Sequence, residues 1–349
     1  MKTEIIKFKG NEKDKKYLDK IKKTFEKGGL VVFPTETVYG LGGNGLDANA
    51  CKKIYEAKGR PSDNPLILHI AENSQIDELV LEIPDVAKKC MEKFWPGPLT
   101  MIFKRSDIVP DAVTGGLDTV AIREPSHKIA NKILKAVHLP IAAPSANISG
   151  RPSPTKIEHV LEDLDGRVDI VVDGGKSVVG IESTVLDVTV DPPMILRPGK
   201  ITLEDLQKIS PDITIDQSTI DATNKKVPKS PGQKYKHYAP RAEAICFGGN
   251  IDKMVLEIQK NIDENKDKKV AVLASTETID EYKNCDLKIN LGSREHLEEV
   301  ASNLFDALRH CDDEGVDLIL AEGFEPIGLG LSIMNRLLKA CSGRIVMRI

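Results

Sequence analysis

Between Leu30 and Ile70 the chain reads LVVFPTETVYGLGGNGLDANACKKIYEAKGRPSDNPLILHI. Leu30 to Phe33 is an apolar run of the length of a buried strand. Pro34 stops it, and Thr35, Glu36 and Thr37 follow at once. Glycines come next at 40, 42, 43 and 45, and Asp47 or Asn49 then caps a helix reaching about Lys58. Lys58-Gly59-Arg60-Pro61 ends that helix, and a second apolar strand, Leu66 to Ile70, carries His69. Hydroxyls, glycines and two cations therefore meet at strand ends, where open α/β sheets bind ligands. A phosphate-bearing anion fits that set. The glycine string also fits the dinucleotide pattern G-x-G-x-x-G, with Glu72 as the acid for a ribose. Against that reading, PTETVY separates the glycines from the strand, and the KGR sequence has no place in the fingerprint.

A chain of 349 residues is long for one core and divides into two domains. The apolar fraction of 40% and charged fraction of 29% are those of an ordinary globular protein. A net charge of −4 argues against a bulk nucleic-acid coat protein while leaving room for a local basic cleft. No apolar run approaches the roughly 20 residues of a membrane span. The first residues, MKTEIIKFKGNEKDKK, lack the apolar core of a signal peptide, so a cytoplasmic protein is expected. The six cysteines stand singly without a CxxC pair, and the seven histidines form neither HxH nor HExxH. Buried reduced thiols are expected, and no protein-held metal.

Residues 13–27 have helical periodicity, and their lysines read as a solvated face. A helix over 85–95 ends in Trp95-Pro96-Gly97-Pro98, ahead of a strand from Leu99 to Phe103. Trp95 reads as a core plug beneath that corner. The strand Leu117 to Arg123 ends on a guanidinium, either a surface charge or a forked donor for a carboxylate. A helix from Ser126 to Val137 leads to Pro140–Gly150, a short strand and a loop of small polar residues in which Ala142 and Ala143 leave space against the backbone. Helix Thr155–Leu164 and strand Ile170–Asp173 precede Gly175-Lys176-Ser177, which is not a P-loop because residue 170 is Ile. Strands follow near Ser183–Val188 and Met194–Arg197, then a helix from Thr202 to Ile209. The alternation and the hairpin-like neighbours predict a mixed sheet. Residues 210–240 are polar and proline-bearing, a linker in composition, apart from Lys234-Tyr235-Lys236-His237-Tyr238, which suits a segment lying over a ligand. Beyond it, strands Ala244–Phe247, Val270–Ala274 and Leu318–Ala321 alternate with helices over 251–265, 295–310 and 329–340, a small Rossmann-like unit. No catalytic cluster is visible there, so a structural or regulatory part is expected. The boundaries are thus 1–209, a 210–240 linker or lid, and 241–349.

Eight segments, PTETVYGLGGNG, KGRPSDNPLILHI, FWPGPLT, LDTVAIRE, PIAAPSANISGRPSPT, GIESTVLDV, LRPG and SPGQKYKHYAP, occur in this order. In this the chain resembles the two-domain threonylcarbamoyl-AMP synthases. The resemblance implies an α/β architecture, a YrdC-like twisted mixed sheet with a cationic cleft followed by a Rossmann-like domain. It also implies a reaction in which L-threonine, bicarbonate or CO2, and ATP give L-threonylcarbamoyladenylate and pyrophosphate. A separate complex then transfers the threonylcarbamoyl group to tRNA. By this resemblance Lys58 and Arg60 are catalytic. ATP is met by Lys58, Arg60, Asn64, Thr119, Ser145, Asn147, Ser153 and Arg197, with Tyr235, His237 and Tyr238 closing over it. L-threonine is met by Thr37, His69, Arg123, Ala143 and Ser183, with Arg123 on its carboxylate. Mg2+ enters with ATP, held by phosphates and water. Catalysis is then positioning and charge stabilisation, without a protein nucleophile. Three rivals stand beside it. One is a non-catalytic module for double-stranded RNA or tRNA, for which a weak tRNA contact would be the remnant. Another is a carbamoyl-phosphate-using enzyme, whose zinc-finger and acylphosphatase-like regions have no counterpart here. The third is the dinucleotide enzyme of the glycine string.

Overall fold

The computed structural model describes residues 2–8, 13–216, 219 and 237–348. The chain begins with β1 (Glu4–Lys7) and α1 (Lys13–Glu26), whose Ile21 and Phe25 are buried while its lysines stay largely outside. β2 (Val31–Phe33) is buried throughout and pairs antiparallel with β3 (Gly40–Asn44), Val31 opposite Gly42. The glycine string is thus a strand and its end, not a phosphate-binding turn, and the dinucleotide reading fails there. Packing explains the composition. A Cβ on Gly42 would lie 2.8 Å from the Phe33 ring and 2.9 Å from Ile141, and one on Gly45 would lie 2.5 Å from Leu68.

α2 (Ala48–Lys58) is capped by Asp47, which accepts from the Asn49 N–H, and closed by Gly59 in the left-handed region at φ 60°. Then come β4 (Ile67–His69), α3 (Ile76–Leu79), α4 (Asp85–Phe94) and β5 (Leu99–Lys104). At the corner before β5, the buried Trp95 donates its Nε1 hydrogen to the Leu99 carbonyl at 2.6 Å. α5 (Asp111–Thr114), β6 (Thr119–Arg123), α6 (Lys128–Val137) and β7 (Ile141–Ala142) follow, then α7 (Ile157–Leu164), β8 (Ile170–Asp173), β9 (Thr184–Asp187) and β10 (Met194–Arg197). α8 (Leu203–Gln207) starts from a Thr202–Asp205 capping box. β11 (Thr214–Ile215) pairs in parallel with β10, so the start of the stretch that reads as a spacer extends the first sheet. Among the described residues this sheet has the order β1-β8-β2-β3-β7-β4-β6-β5-β9-β10-β11 and mixes parallel with antiparallel pairs.

The remainder forms β12 (Glu243–Gly249), α9 (Ile251–Glu264), β13 (Val270–Ala274), β14 (Leu287–Asn290), α10 (Leu297–Asp313), β15 (Leu318–Glu322), α11 (Leu329–Ala340) and β16 (Ile345–Arg348). Its order is β14-β13-β15-β12-β16, and every pairing is parallel. The two units share apolar surface, because Val38, Ile181 and Tyr238 belong to the same buried cluster as Phe305 and Ile333. Buried charge crosses the boundary as well, with Arg309 on Asp163 at 2.8 Å and Arg336 on Glu182 at 3.1 Å. No helix among the described residues is long and apolar enough to cross a membrane.

Candidate active site

β4 and β6 lie side by side in parallel and place His69 opposite Arg123 at their carboxyl ends. Arg123 is buried and held by two hydrogen bonds and an ion pair, its Nη2 without a hydrogen-bond partner. Its NH1 donates to the Thr37 hydroxyl at 2.8 Å, its Nε donates to the Gly97 carbonyl at 3.1 Å, and its NH2 forms an ion pair with Glu36 at 2.6 Å. Burial alone would raise the Glu36 pKa, but the charge and hydrogen bond of Arg123 outweigh it and hold the carboxyl below its usual range. His69 is pushed down to about 3, first by burial and then by Arg123, so its imidazole is neutral. Its Nδ1 lies 3.2 Å from the Ile67 carbonyl, and the Phe33 ring meets it edge-on.

These groups form one end of a cleft of about 600 Å³, part of it open to solvent, lined also by Arg60, Ala143, Ser145, Ser183, Arg197, His237 and Tyr238. Ser183 shares a hydrogen bond with Thr100 at 2.8 Å and accepts from Arg197 at both its carbonyl (3.0 Å) and its hydroxyl (3.1 Å). Burial foremost pushes Arg197 down to about 10. On the other side Arg60 donates to the Asn64 carbonyl at 2.7 Å, with its guanidinium 5.7 Å from the Tyr55 ring. The Asn64 side chain is wholly buried, and its Nδ2 and Oδ1 have no hydrogen-bond partner. A buried amide left so is costly unless a ligand completes it. His237 and Tyr238 form one wall. Tyr238 adopts φ 60°, sparsely populated for a bulky residue, and its ring centroid lies 5.0 Å from that of Phe305 on α10. Burial, aided by the charges of Lys339 and Arg60, pushes His237 down to about 3.

The cleft thus gathers Thr37, Arg60, His69, Arg123, Ala143, Ser145, Ser183, Arg197, His237 and Tyr238 from segments spread over the whole sequence. Five predicted residues sit elsewhere. Lys58 is buried and donates to the main-chain oxygens of Ser145 and Asn147, the latter at 2.8 Å, so it ties down the 145–147 loop instead of facing the cleft. Burial, then the charge of Arg60, lowers its pKa well below the lysine range. Asn147 bonds within its own loop, to the Ile148 and Arg151 carbonyls at 2.8 and 3.0 Å. Ser153 donates to Glu182. Asn64 lies behind Arg60. Thr119 opens β6 on the same face as Arg123 but four residues, about 13 Å, along the strand. Tyr235 lies outside the described residues. Glu182, Thr35 and Tyr39 line the cleft and escaped the reading, although they stand inside the quoted motifs beside Ser183 and Thr37.

Residues 23–199 match a family model described as telomere recombination, named for Sua5, YciO and YrdC, and residues 201–342 match one described as threonylcarbamoyl-AMP synthase, C-terminal domain. The threonylcarbamoyl-AMP synthase of Pyrococcus abyssi is 51% identical over 321 residues, 91% of this chain and 92% of its own. That of Bacillus subtilis is 50% identical over 321 residues, 91% of this chain and 90% of its own. The crystal structure of P. abyssi Sua5 complexed with L-threonine superposes with a TM-score of 0.92 at 46% identity, covering 100% of both chains. The two family models and these relatives span both sheets, and the chain belongs to the threonylcarbamoyl-AMP synthase family.

Proposed function

We propose that this protein condenses L-threonine, bicarbonate or CO2, and ATP into L-threonylcarbamoyladenylate and pyrophosphate within the cleft, and that it does so in the cytoplasm. The observation that carries the reading is a carboxylate clamp, Arg123 with Thr37 and His69, facing two cations, Arg60 and Arg197, in one cavity. The threonine carboxylate replaces Glu36 or Thr37 on the Arg123 fork, and neutral His69 hydrogen-bonds the amino acid without adding charge. Ser183 and Ala143 shape the pocket around the side chain. The threonine nitrogen takes up CO2 with loss of a proton. An oxygen of the carbamate then attacks the α-phosphorus, the bond to the bridging oxygen breaks, and pyrophosphate leaves. Arg60 and Arg197 offset the charge that builds on the phosphates. Ser145 supplies a neutral donor, Asn64 holds Arg60 through its main-chain carbonyl, and Lys58 and Asn147 fix the loop that carries Ser145. Thr119, on the cleft face of β6, meets the far end of the nucleotide.

Mg2+ enters with ATP. Glu182 in the cleft wall is paired with Arg336, and Glu36 is paired with Arg123 through Oε1, so phosphate oxygens and water would hold the ion. His237 and Tyr238 exclude water from the labile adenylate. A threonylcarbamoyl-transferring complex acting on tRNA consumes the product.

Pyrophosphate release from ATP and bicarbonate, with and without L-threonine, tests the reading. Wild type releases it only with threonine. Arg123→Ala loses the threonine-dependent release, and Arg60→Ala weakens ATP use by about 10²-fold or more. Threonine-independent ATP hydrolysis in wild type would sink the assignment.

A further inference from the structure

Resting on that reading, we propose that Arg336, on α11 of the C-terminal unit, is a positioning residue for the nucleotide half of the cleft, acting through Glu182 to keep Arg197 free for phosphate. The side chain of Arg336 leaves its own unit and is fully buried in the first one. Its Nε donates to Glu182 Oε2 at 3.1 Å, its NH2 to the Glu182 carbonyl at 3.3 Å, and its NH1 to the Pro198 carbonyl. One guanidinium therefore staples the two turns that carry Ser183 and Arg197. One turn earlier on α11, Ser332 donates to the Gly199 carbonyl at 2.9 Å. Gly199 is itself pressed against β9, where a Cβ would lie 2.4 Å from the Thr184 nitrogen. The 197–199 turn is gripped from both sides.

The charge balance gives this grip a consequence for binding. Glu182 is a buried carboxylate lining the cleft, and its charge is felt by two arginines, Arg336 and Arg197. With Arg336 in place, Glu182 is matched from the C-terminal side, and it accepts the Ser153 hydroxyl as well. Remove Arg336, and the buried carboxylate must draw on the cations left around it, Arg197 together with Lys339, because an unpaired buried charge is far more costly than a repositioned side chain. Arg197 is then spent on Glu182 instead of on the triphosphate. The C-terminal unit thus takes part in the chemistry from α11, chiefly through Arg336, without contributing a group to the reacting atoms.

Steady-state kinetics of threonine-dependent pyrophosphate release and direct calorimetry of ATP binding test this in the full chain. Arg336→Met raises the KM and Kd for ATP by about tenfold or more, with a smaller rise in the KM for threonine, because Ser183 rides on the same staple. Glu182→Gln in the same chain recovers part of the ATP affinity, since no carboxylate remains to capture Arg197. Arg336→Lys, which keeps the charge but cannot span both turns, falls between wild type and Arg336→Met, and it decides the matter if the methionine variant does not fold. Asp306→Asn loosens the same interface at Lys156 and His159, away from the cleft, and leaves the ATP constants unchanged. Equal losses for ATP and threonine, no recovery with Glu182→Gln, or the same ATP loss in Asp306→Asn would overturn the proposal. Absence of threonine-dependent turnover in wild type would count against the proposed function instead.

Discussion

His69 and Arg123 face each other across β4 and β6, and burial first, then the guanidinium, sets the state of the imidazole. A second positive charge at that depth would be desolvated and repelled at once, so His69 stays neutral, titrating near 3. An unfolded histidine titrates near ~6.5. Between those values the unfolded chain takes up a proton that the native state refuses, and stability falls as pH drops from about 6.5 toward 3. The loss is on the order of 2 kcal/mol per histidine by pH 5. His237, also near 3, acts in the same window. Urea midpoints at pH 7 and pH 5 check this: His69→Gln should roughly halve the drop that these two histidines give wild type, and an unchanged drop would refute neutrality. Glu36 and Glu182 act lower. Their depressed pKa values contribute stability above the ordinary carboxylate range, which is lost as pH falls through the folded values.

At the scale of elements, β3 shows how packing can outvote propensity. Glycine disfavours strands, yet Gly42 is required where a Cβ would meet the Phe33 ring, Ile141 and the Val31 carbonyl, the last at 3.0 Å. Gly42→Val should therefore cost about 1–3 kcal/mol through overpacking, read as a lowered urea midpoint with an unchanged slope. A neutral effect would mean that β3 can shift away from β2. The apolar strands β2, β5, β6 and β8 and the amphipathic helices were legible because their pattern is local. β3 was not, since the reason for its glycines lies in Phe33 and Ile141. β11, of two residues, is too short to carry a pattern, whereas β7, equally short, falls where the short strand before the 145–150 loop is expected. β14 alternates half-buried and exposed residues at the edge of its sheet and has no continuous apolar run.

At the scale of the molecule, the cleft was legible where motif residues face inward and illegible where charge partners are distant in sequence. Arg123, His69 and Thr37 announce themselves beside strand ends, whereas nothing near Arg309 or Arg336 indicates that each is fully buried against a carboxylate about 150 residues away. Arg309 donates to Asp163 at 2.8 Å and twice to the Pro152 carbonyl, at 2.7 and 3.1 Å. It is a seam between the units, since Asp163 sits on α7 and Arg309 on α10. Breaking a buried pair by removing one partner costs about 3–5 kcal/mol. Asp163 keeps Arg151 and the Ile148 N–H, which places Arg309→Met at the low end. The single tryptophan gives a local probe, because Trp95 is buried in the first unit alone, while far-ultraviolet circular dichroism reports both sheets. In wild type the two signals should fall together in urea, as expected of units sharing a core through Val38, Ile181 and Tyr238. In Arg309→Met the dichroism should broaden and part from the Trp95 signal as docking weakens. Asp163→Asn added to that variant should bring the two back toward coincidence by removing the stranded charge. If Arg309→Met unfolded as one transition with wild-type stability, the seam would have to be held by the apolar cluster and Arg336, with Arg309 adding nothing beyond its own solvation.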